Sequence, residues 1–232
     1  MNNNIINVLD NGFVELIDMF GDELTIVNAA RVSFGNQRDE LRASDLKLMK
    51  YLHQHKHFSP FRHLMFRFRI KAPEFVMRQL YKHVVGIETS SSYPTKDHAW
   101  NEISGRYKPV ESYYIPYIWR CQSNDSKQAS DGQLNEIDNE IACQLFNETI
   151  SNNIDTYNRL LELGVAKEQA RIILPLNQYT EIYWTCSAQA VFNFIELRDD
   201  EHSQHEIRVY AQALKTLIRS KIPNLYKIWF EE

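Results

Sequence analysis

The chain has 232 residues, 44% hydrophobic and 24% charged, a composition typical of a soluble globular protein with its own core. Its 26 basic and 30 acidic residues give a net charge of −4, which argues against a protein that coats nucleic-acid polymers. No basic and apolar leader opens the sequence, and no apolar run approaches the ~20 residues of a membrane span. Three scattered cysteines without a CxxC pair fit a reducing compartment, so we expect a cytoplasmic protein that does not bind membranes.

The N-terminal part of the chain is predicted to contain two strands and two helices. Residues 13–20 are typical of a strand, and a helix is predicted to follow from Asp22. Residues 39–55 have the spacing of an amphipathic helix. Hydrophobic and basic residues alternate strictly over 65–71, which predicts a strand with one buried face.

The rest of the chain mixes helices, strands and turn-rich segments. Pro73 is predicted to open a helix that reaches about Val85, because proline's missing N–H costs nothing at a first helical position. The segments 84–100 and 122–133 are predicted to be loops, the second of them mobile. The remaining predicted elements are a long helix, a short helix, a strand and two further helices, over 134–163, 167–174, 178–187, 188–198 and 202–222. Because strands and helices do not alternate regularly, we predict one α+β domain over residues 1–232.

Three arginine-bearing regions are candidates for chemistry: the end of the Pro73 helix with Arg78, Gln79, Lys82 and His83, the segment 101–107, and the segment 170–175, followed later by 197–200. Ser104, Gly105 and Arg106 could grip a phosphate, since glycine lets the backbone approach an anion, although this tripeptide also occurs in ordinary turns. Arg171 lies in an apolar segment, where it either meets an anion or extends its charged end to solvent. Arg198 follows an apolar helical run, and it either serves a ligand or pairs with a neighbouring acidic residue.

The histidines do not predict a metal site. The run HSQHE over 202–206 matches neither HExxH nor the reversed HxxEH order. The alternating histidines of 53–57 lie near a helix end, where a two-residue spacing does not place side chains on one face. We therefore expect no bound metal.

Taken in chain order, several segments resemble the flavin-dependent thymidylate synthases over nearly the whole length. HFSPFRH resembles the family's H-x-[ST]-P-F-x-H element, KAPEFVMRQLYKH resembles its signature helix, and NEISGRY resembles its N-E-x-S-G-R-Y segment. LDNGFVELIDMFGDELTIVNAARVSF, ARIILPLNQYTEIYWT and NFIELRDDEHSQHEI resemble the family's remaining segments in the same order. The resemblance implies a single α+β domain with a mainly antiparallel sheet flanked by helices, in which 84–100 is an insertion.

The chain departs from this family at positions near the flavin. The family signature, R-H-R followed by seven residues and a serine, corresponds here to KHV over 82–84, with Ser104 displaced by the insertion. The family's Asn-x-Arg before the flavin-contacting helix is replaced by Ser187, Ala188 and Gln189. Arg62 stands where the family often has glutamate, and it is a candidate to replace one of the two lost pyrophosphate partners.

The resemblance also implies the site residues. A first set would bind dUMP: Gln79, Lys82, Glu102, Ser104, Gly105, Arg106, Arg171 and Arg198. A second set falls where the family touches FAD: Ser33, Ser59, Lys82, His83, Val84, Gln189 and Asn193. His57 falls where the family meets folate. Arg198 would be the catalytic residue, because its charge against the uracil would favour the N3-ionised ring and activate it.

The implied reaction is the reductive methylation of dUMP to dTMP by a methyltransferase. Methylenetetrahydrofolate would supply the carbon, NADPH would reduce FAD, and the protein would be a homotetramer with shared active sites. Two alternatives remain open at this point. The altered signature could serve another pyrimidine nucleotide or another one-carbon outcome, or the chain could be a non-catalytic nucleotide- or flavin-binding relative.

Overall fold

The computed structural model describes residues 4–83, 86–87, 95–96, 98–105, 112–124, 127 and 129–231. The strands in these residues are β1 Ile5–Val8, β2 Gly12–Phe20, β3 Met65–Pro73, β4 Gly86–Ile87, β5 Thr95–Lys96, β6 His98–Glu102, β7 Cys121–Gln122, β8 Ser130–Asp131 and β9 Tyr179–Ser187. The helices are α1 Glu23–Arg31, α2 Ala43–Gln54, α3 Glu74–Leu80, α4 Glu136–Glu162, α5 Lys167–Ala170, α6 Ala188–Arg198, α7 His205–Arg219 and α8 Pro223–Phe230. Short 3-10 helices span Val32–Phe34, Ser59–His63 and Arg171–Ile173.

One antiparallel sheet organises the molecule. Its five strands lie in the order β1-β2-β3-β9-β6, and each pairs with its neighbour in antiparallel register. Two short ribbons, β4-β5 and β7-β8, stand outside it. The sheet and its helices confirm the predicted α+β class with a mainly antiparallel sheet.

The alternation of β3 separates the two faces of the sheet. Phe66, Phe68 and Ile70 are fully buried and belong to the hydrophobic core. The basic residues between them face outwards, where Arg67 bonds Asp18 at 3.0 Å and Arg69 bonds Glu15 at 2.9 Å. Period-two alternation therefore decides which face of the sheet the helices cover.

The helices pack on the apolar face of the sheet. α6 and α7 pack against each other, and α7 also packs against β1 and β2. The buried side of α7 includes Ile207, Leu214 and Ile218, which follow helical spacing. α6 starts directly after β9, where the Ser187 hydroxyl accepts a hydrogen bond from the Ala190 N–H and caps the helix.

The observed elements depart from the predicted ones mainly in the middle and at the ends of the chain. The helix after Pro73 ends at Leu80 instead of reaching Val85, and Pro73 precedes its first residue. Part of the segment 84–100, predicted as a loop, is strand, because β4 pairs with β5 and β6 begins at His98. The remaining residues of that segment lie outside the described ones.

Three further differences concern the N-terminus, the second loop and the C-terminus. β1 and α8 were not predicted, and each contributes buried residues to the core. The segment 122–133, predicted as a loop, is partly strand, because it contains β8 and Gln122 of β7; its predicted mobility stays a prediction. No helix of the described residues combines the length and apolarity that crossing a bilayer requires.

Candidate active site

A cavity of about 710 Å³ opens between α3, β6, the 171–173 turn and β9. It brings together four of the residues predicted to bind dUMP, namely Glu102, Ser104, Gly105 and Arg171. They come from two segments that are far apart in the chain, the end of β6 and the turn after α5. The candidate site is therefore assembled by the sheet, which places β6 beside β9.

The pairing of β6 with β9 fixes the carboxylate of Glu102. Glu102 lies opposite Ile182 in the ladder, so its side chain is on the same face of the sheet as Ile182 and Thr180 of β9. Its Oε1 accepts a hydrogen bond from the Thr180 hydroxyl at 2.7 Å, and its Oε2 accepts one from the Trp100 indole N–H at 3.3 Å. Two donors therefore hold this carboxylate in one orientation at the cavity.

The backbone at Gly105 lies close to the guanidinium of Arg171. A Cβ atom at position 105 would be 3.9 Å from both Cδ and Nη1 of Arg171. Arg171 is exposed, so it is not the buried, unpaired cation that would have required a partner. Arg106, the third member of the predicted phosphate grip, lies outside the described residues.

Charges of both signs face this cavity. The lining residues with ionisable carboxyl or guanidinium groups are Glu74, Arg78, Glu102, Glu168 and Arg171. Burial raises the pKa of Glu74, and the nearby Glu102 raises it further, while Arg78 and Arg171 partly offset the rise. Neither Glu74 nor Glu168 was predicted as a site residue from the sequence.

A second cluster joins α3 to α6 around Arg198. The Arg198 Nε donates a hydrogen bond of 3.0 Å to His83 Nε2. Burial and the Arg198 charge together lower the pKa of His83 to about 4, so the imidazole is neutral near pH 7 and accepts through Nε2. The His83 ring packs edge-on against Phe194, with ring centroids 5.2 Å apart.

The alternative role for Arg198, pairing with a neighbouring acid, is wrong in this structure. Asp199 pairs with Lys215 at 2.7 Å, and Asp200 contacts His202 at 3.0 Å. Within the described residues, Arg198 makes one hydrogen bond, through Nε, so its terminal nitrogens remain available to a ligand. It does not line the 710 Å³ cavity.

Gln79 and Lys82, predicted site residues at the end of α3 and just beyond it, do not line this cavity. The Gln79 side-chain amide donates to Gln204 Oε1 at 2.8 Å. Lys82 is exposed just beyond the end of α3. Val84 lies outside the described residues. The structure therefore does not bring Gln79, Lys82 and Arg198 together with Arg171 on one chain.

A second cavity, of about 430 Å³, shares Pro175 and Leu176 with the first. Its lining is largely apolar, and Gln204, the partner of Gln79, lies in it. It contains no predicted site residue. We therefore assign the candidate chemistry to the larger and more polar cavity.

Three of the residues predicted to contact FAD lie where the 59–63 turn packs against α6. Ser59 belongs to this turn, and Gln189 and Asn193 lie on α6. Arg62 Nε donates a hydrogen bond of 2.8 Å to Gln189 Oε1. Among the described residues this is its one hydrogen bond, so its terminal nitrogens can meet an anion such as a pyrophosphate. The residues present therefore fit the anionic part of FAD.

Two predicted positions lie further out. Ser33 is exposed in the 3-10 turn that follows α1. His57 is exposed beyond α2, with its ring centroid 6.1 Å from that of Tyr51 and 6.3 Å from that of His55. No group of three or more potential metal ligands occurs in the described parts of the chain.

Comparison with known proteins gives one consistent family. A family model described as thymidylate synthase complementing protein matches residues 15–224. The flavin-dependent thymidylate synthase of Kosmotoga olearia is 41% identical over 223 residues, which cover 96% of this chain and 91% of that protein. The enzyme of the same description from Thermus thermophilus is 43% identical over 219 residues, covering 94% of this chain and 75% of that protein.

Solved structures agree with the sequence relatives. A UMP/dUMP methylase, PolB from Streptomyces cacaoi bound with 5-Br dUMP, superposes with a TM-score of 0.79 at 29% identity and covers 96% of both chains. The same methylase bound with 5-Br UMP superposes with a TM-score of 0.78. Together with the family match over most of the sequence, these likenesses show that the chain belongs to the flavin-dependent thymidylate synthases, a family of methyltransferases.

Proposed function

We propose that this protein methylates dUMP to dTMP, taking the carbon from methylenetetrahydrofolate with FAD that NADPH reduces. The family match supports the reaction. We assign the reaction to the 710 Å³ cavity because that cavity is lined by Glu102, Ser104, Gly105 and Arg171. All four residues belong to the set that the family resemblance assigns to dUMP.

Phosphate binding is proposed for the Gly105 end of the cavity. Gly105 presents backbone without a side chain beside the Arg171 guanidinium, and an arginine fork is well suited to phosphate oxygens. Arg106 adjoins this backbone in sequence and would add a second fork. Glu102, held by Thr180 and Trp100, is an acceptor for an N–H or hydroxyl of the nucleotide.

Activation of the pyrimidine is proposed for Arg198. The neutral His83 accepts from its Nε and fixes the orientation of the guanidinium. The terminal nitrogens would then stabilise negative charge on a uracil ring ionised at N3, which makes the ring more nucleophilic without a cysteine adduct.

The flavin and folate sites are proposed beside the 59–63 turn. Reduced FAD, when bound, supplies the hydride of the reaction. Arg62, Ser59, Gln189 and Asn193 would hold the cofactor, with Arg62 meeting the pyrophosphate. His57 would contact the folate.

A homotetramer with active sites shared between subunits is also proposed. Two observations support it. The Arg198–His83 pair lies outside the cavity that contains Arg171, so one chain does not assemble the whole proposed dUMP set. α4 exposes an apolar row, with Ile137 72%, Ile141 50% and Leu145 60% exposed, which a neighbouring subunit would bury.

An anaerobic assay with dUMP, methylenetetrahydrofolate, FAD and NADPH, read by nucleotide mass, tests the proposed reaction. We expect the mass of dTMP, and we expect Arg198→Ala to lower kcat by about 100-fold or more, as for other groups that stabilise developing charge. Arg219→Ala is the matched control, because Arg219 is an exposed arginine at the end of α7. Retained dTMP formation by Arg198→Ala would contradict its assigned role.

A second nucleotide belongs in the same assay, because the superposed PolB is a UMP/dUMP methylase. Methylation of UMP at a rate equal to that of dUMP would favour a pyrimidine nucleotide methylase of wider specificity. Omitting NADPH or methylenetetrahydrofolate in turn tests each co-substrate. If the protein binds nucleotide and flavin but forms no product, it is a non-catalytic relative of the family.

A further inference from the structure

Glu74 is a half-buried carboxylate whose side chain has no described partner. It is the first residue of α3, and its backbone N–H donates to the Gln178 carbonyl at 2.9 Å, so its position is fixed by the chain entering the helix. Its side chain lines the 710 Å³ cavity. Among the described residues, its carboxylate makes neither a hydrogen bond nor an ion pair. A carboxylate that is partly desolvated and unpartnered is costly to keep ionised.

The ionisable groups that line the cavity together with Glu74 come from five elements, and β9 contributes the uncharged Thr180. Arg78 lies one helical turn further along α3, Glu102 comes from β6, and Glu168 from α5. Arg171 comes from the 171–173 turn, and the buried Tyr157 from α4. Three carboxylates therefore share the described cavity wall with two guanidinium groups.

A bound nucleotide monophosphate would add further negative charge to a cavity that already has more carboxylates than guanidinium groups. Near neutral pH a phosphate monoester carries between one and two negative charges, since its second pKa is about 6. A phosphate beside Arg171 and Gly105 would interact with the positive charges of Arg171 and Arg78, which in the free protein partly offset the charge on Glu74. An ionised Glu74 would then oppose the phosphate, whereas a protonated Glu74 would be a hydrogen-bond donor to it.

We infer that Glu74 is a nucleotide-binding residue that takes up one proton from solvent when the nucleotide phosphate enters the cavity. The carboxylate becomes a neutral carboxyl group, and its O–H is directed to the phosphate. The inference rests on the proposed nucleotide site and adds to it a residue outside the set that the family resemblance assigned. The burial and the neighbouring Glu102, which already raise the pKa of Glu74 in the free protein, act in the same direction.

Linkage gives the sign of the effect. A complex that binds a proton more tightly than the free protein forms best at low pH. Its affinity falls as pH rises through the window between the raised pKa of Glu74 in the free protein and its still higher pKa in the complex. Each unit by which the nucleotide raises this pKa corresponds to about a tenfold loss of affinity across the window.

Calorimetric titration of the FAD-bound protein with dUMP tests this inference. Titrations in buffers of different ionisation enthalpy give the number of protons taken up on binding. Glu74→Gln removes the titratable group but keeps the size of the side chain, and the proton exchange of the phosphate itself is common to both proteins. The matched control is Glu162→Gln, an exposed α4 glutamate outside the cavity lining.

We expect wild type and Glu162→Gln to take up more protons than Glu74→Gln. We also expect Glu74→Gln to bind dUMP more tightly than wild type at about pH 8, by up to about tenfold, because a repelling carboxylate is gone. Equal proton uptake by wild type and Glu74→Gln would overturn the inference but not the proposed nucleotide site. Weaker dUMP binding by Glu74→Gln at about pH 8 would do the same. An equal effect of Glu162→Gln would reduce it to a general charge effect and so overturn it. Failure of all three proteins to bind dUMP would overturn the proposed nucleotide site and the inference with it.

Discussion

At the scale of single residues, Arg62 places a cation beside α6. The family resemblance implies an arginine at position 189, where this chain has Gln189, almost fully buried at 7% exposure. Arg62 reaches it from the 59–63 turn and hydrogen-bonds its side-chain oxygen at 2.8 Å. Arg62 therefore brings a positive charge to the position at which the resemblance implies an arginine of α6.

Arg62→Ala tests whether that charge serves FAD. We expect the affinity for FAD to fall by about tenfold or more, since a charge-assisted hydrogen bond contributes roughly 1.5–3 kcal/mol. Flavin fluorescence during titration measures the change. Arg67→Ala is the control, because Arg67 pairs with Asp18 on the outer face of the sheet. Unchanged FAD affinity in Arg62→Ala would exclude Arg62 as the pyrophosphate partner.

Some site residues could be predicted from the sequence and others could not. Ser104, Gly105 and Arg171 line one cavity. They could be chosen from the sequence because each belongs to a short motif whose residue types suggest anion binding. Glu74 carries no such signal, because its environment depends on β6 and the 171–173 turn arriving from distant parts of the chain. Its spacing of four residues from Arg78 on one helix was the one available hint.

At the scale of elements, the strongly patterned segments were predictable and the weakly patterned ones were not. β2, β3 and β9 have long runs with alternating burial, and their positions confirm the predicted strands at 13–20, 65–71 and 178–187. β6 reads HAWNE, with no alternation to identify it, and it is a strand because β9 offers it an edge. α3 ends at Leu80, and beyond it the N–H groups of Lys82 and His83 donate to carbonyls three residues back, at Gln79 and Leu80, as in a 3-10 turn.

Gly12 joins the sheet to α7 through a close contact that leaves no room for a side chain. A Cβ atom there would overlap the Tyr210 hydroxyl and would lie 2.8 Å from the Lys71 carbonyl oxygen. The Tyr210 hydroxyl itself donates to that carbonyl at 2.8 Å. The first residue of β2 is therefore glycine for packing reasons.

We expect Gly12→Ala to lower the free energy of unfolding by about 1–3 kcal/mol, the usual cost of overpacking. Chemical denaturation measures the loss. Tyr210→Phe removes one of the atoms that the new methyl group meets, so Gly12→Ala should cost less in that background than in wild type. Strict additivity of the two substitutions would show that the contact with Tyr210 is not the cause.

At the scale of the whole molecule, the two arginine centres of the proposed site lie apart on one chain. Arg171 lines the large cavity, and Arg198 pairs with His83 outside it. If subunits share active sites, each complete site takes Arg171 from one chain and Arg198 from another.

Subunit mixing tests this arrangement. Arg171→Ala and Arg198→Ala should each be nearly inactive alone. Co-expressed in equal amounts with different tags, they should recover about a quarter of wild-type activity, because half of the chains supply each intact arginine. Light scattering of the same samples reports the oligomeric state. Absence of any recovery in mixed oligomers would place both arginines of a site on one chain.

β9 is the strand on which the sheet depends, and it comes late in the chain. It pairs with β3 on one side and β6 on the other, so that Trp184 lies opposite Phe68 and Trp100 at once. During synthesis on the ribosome, β3 and β6 emerge long before β9, their common partner. While α4 is being synthesised, the edges of β3 and β6 that will pair with β9 remain unpaired. The nascent chain therefore passes through a period in which β3, with its apolar residues Phe66, Phe68 and Ile70, is open to wrong pairing. This is the stage at which a chaperone would matter most to the yield of active protein.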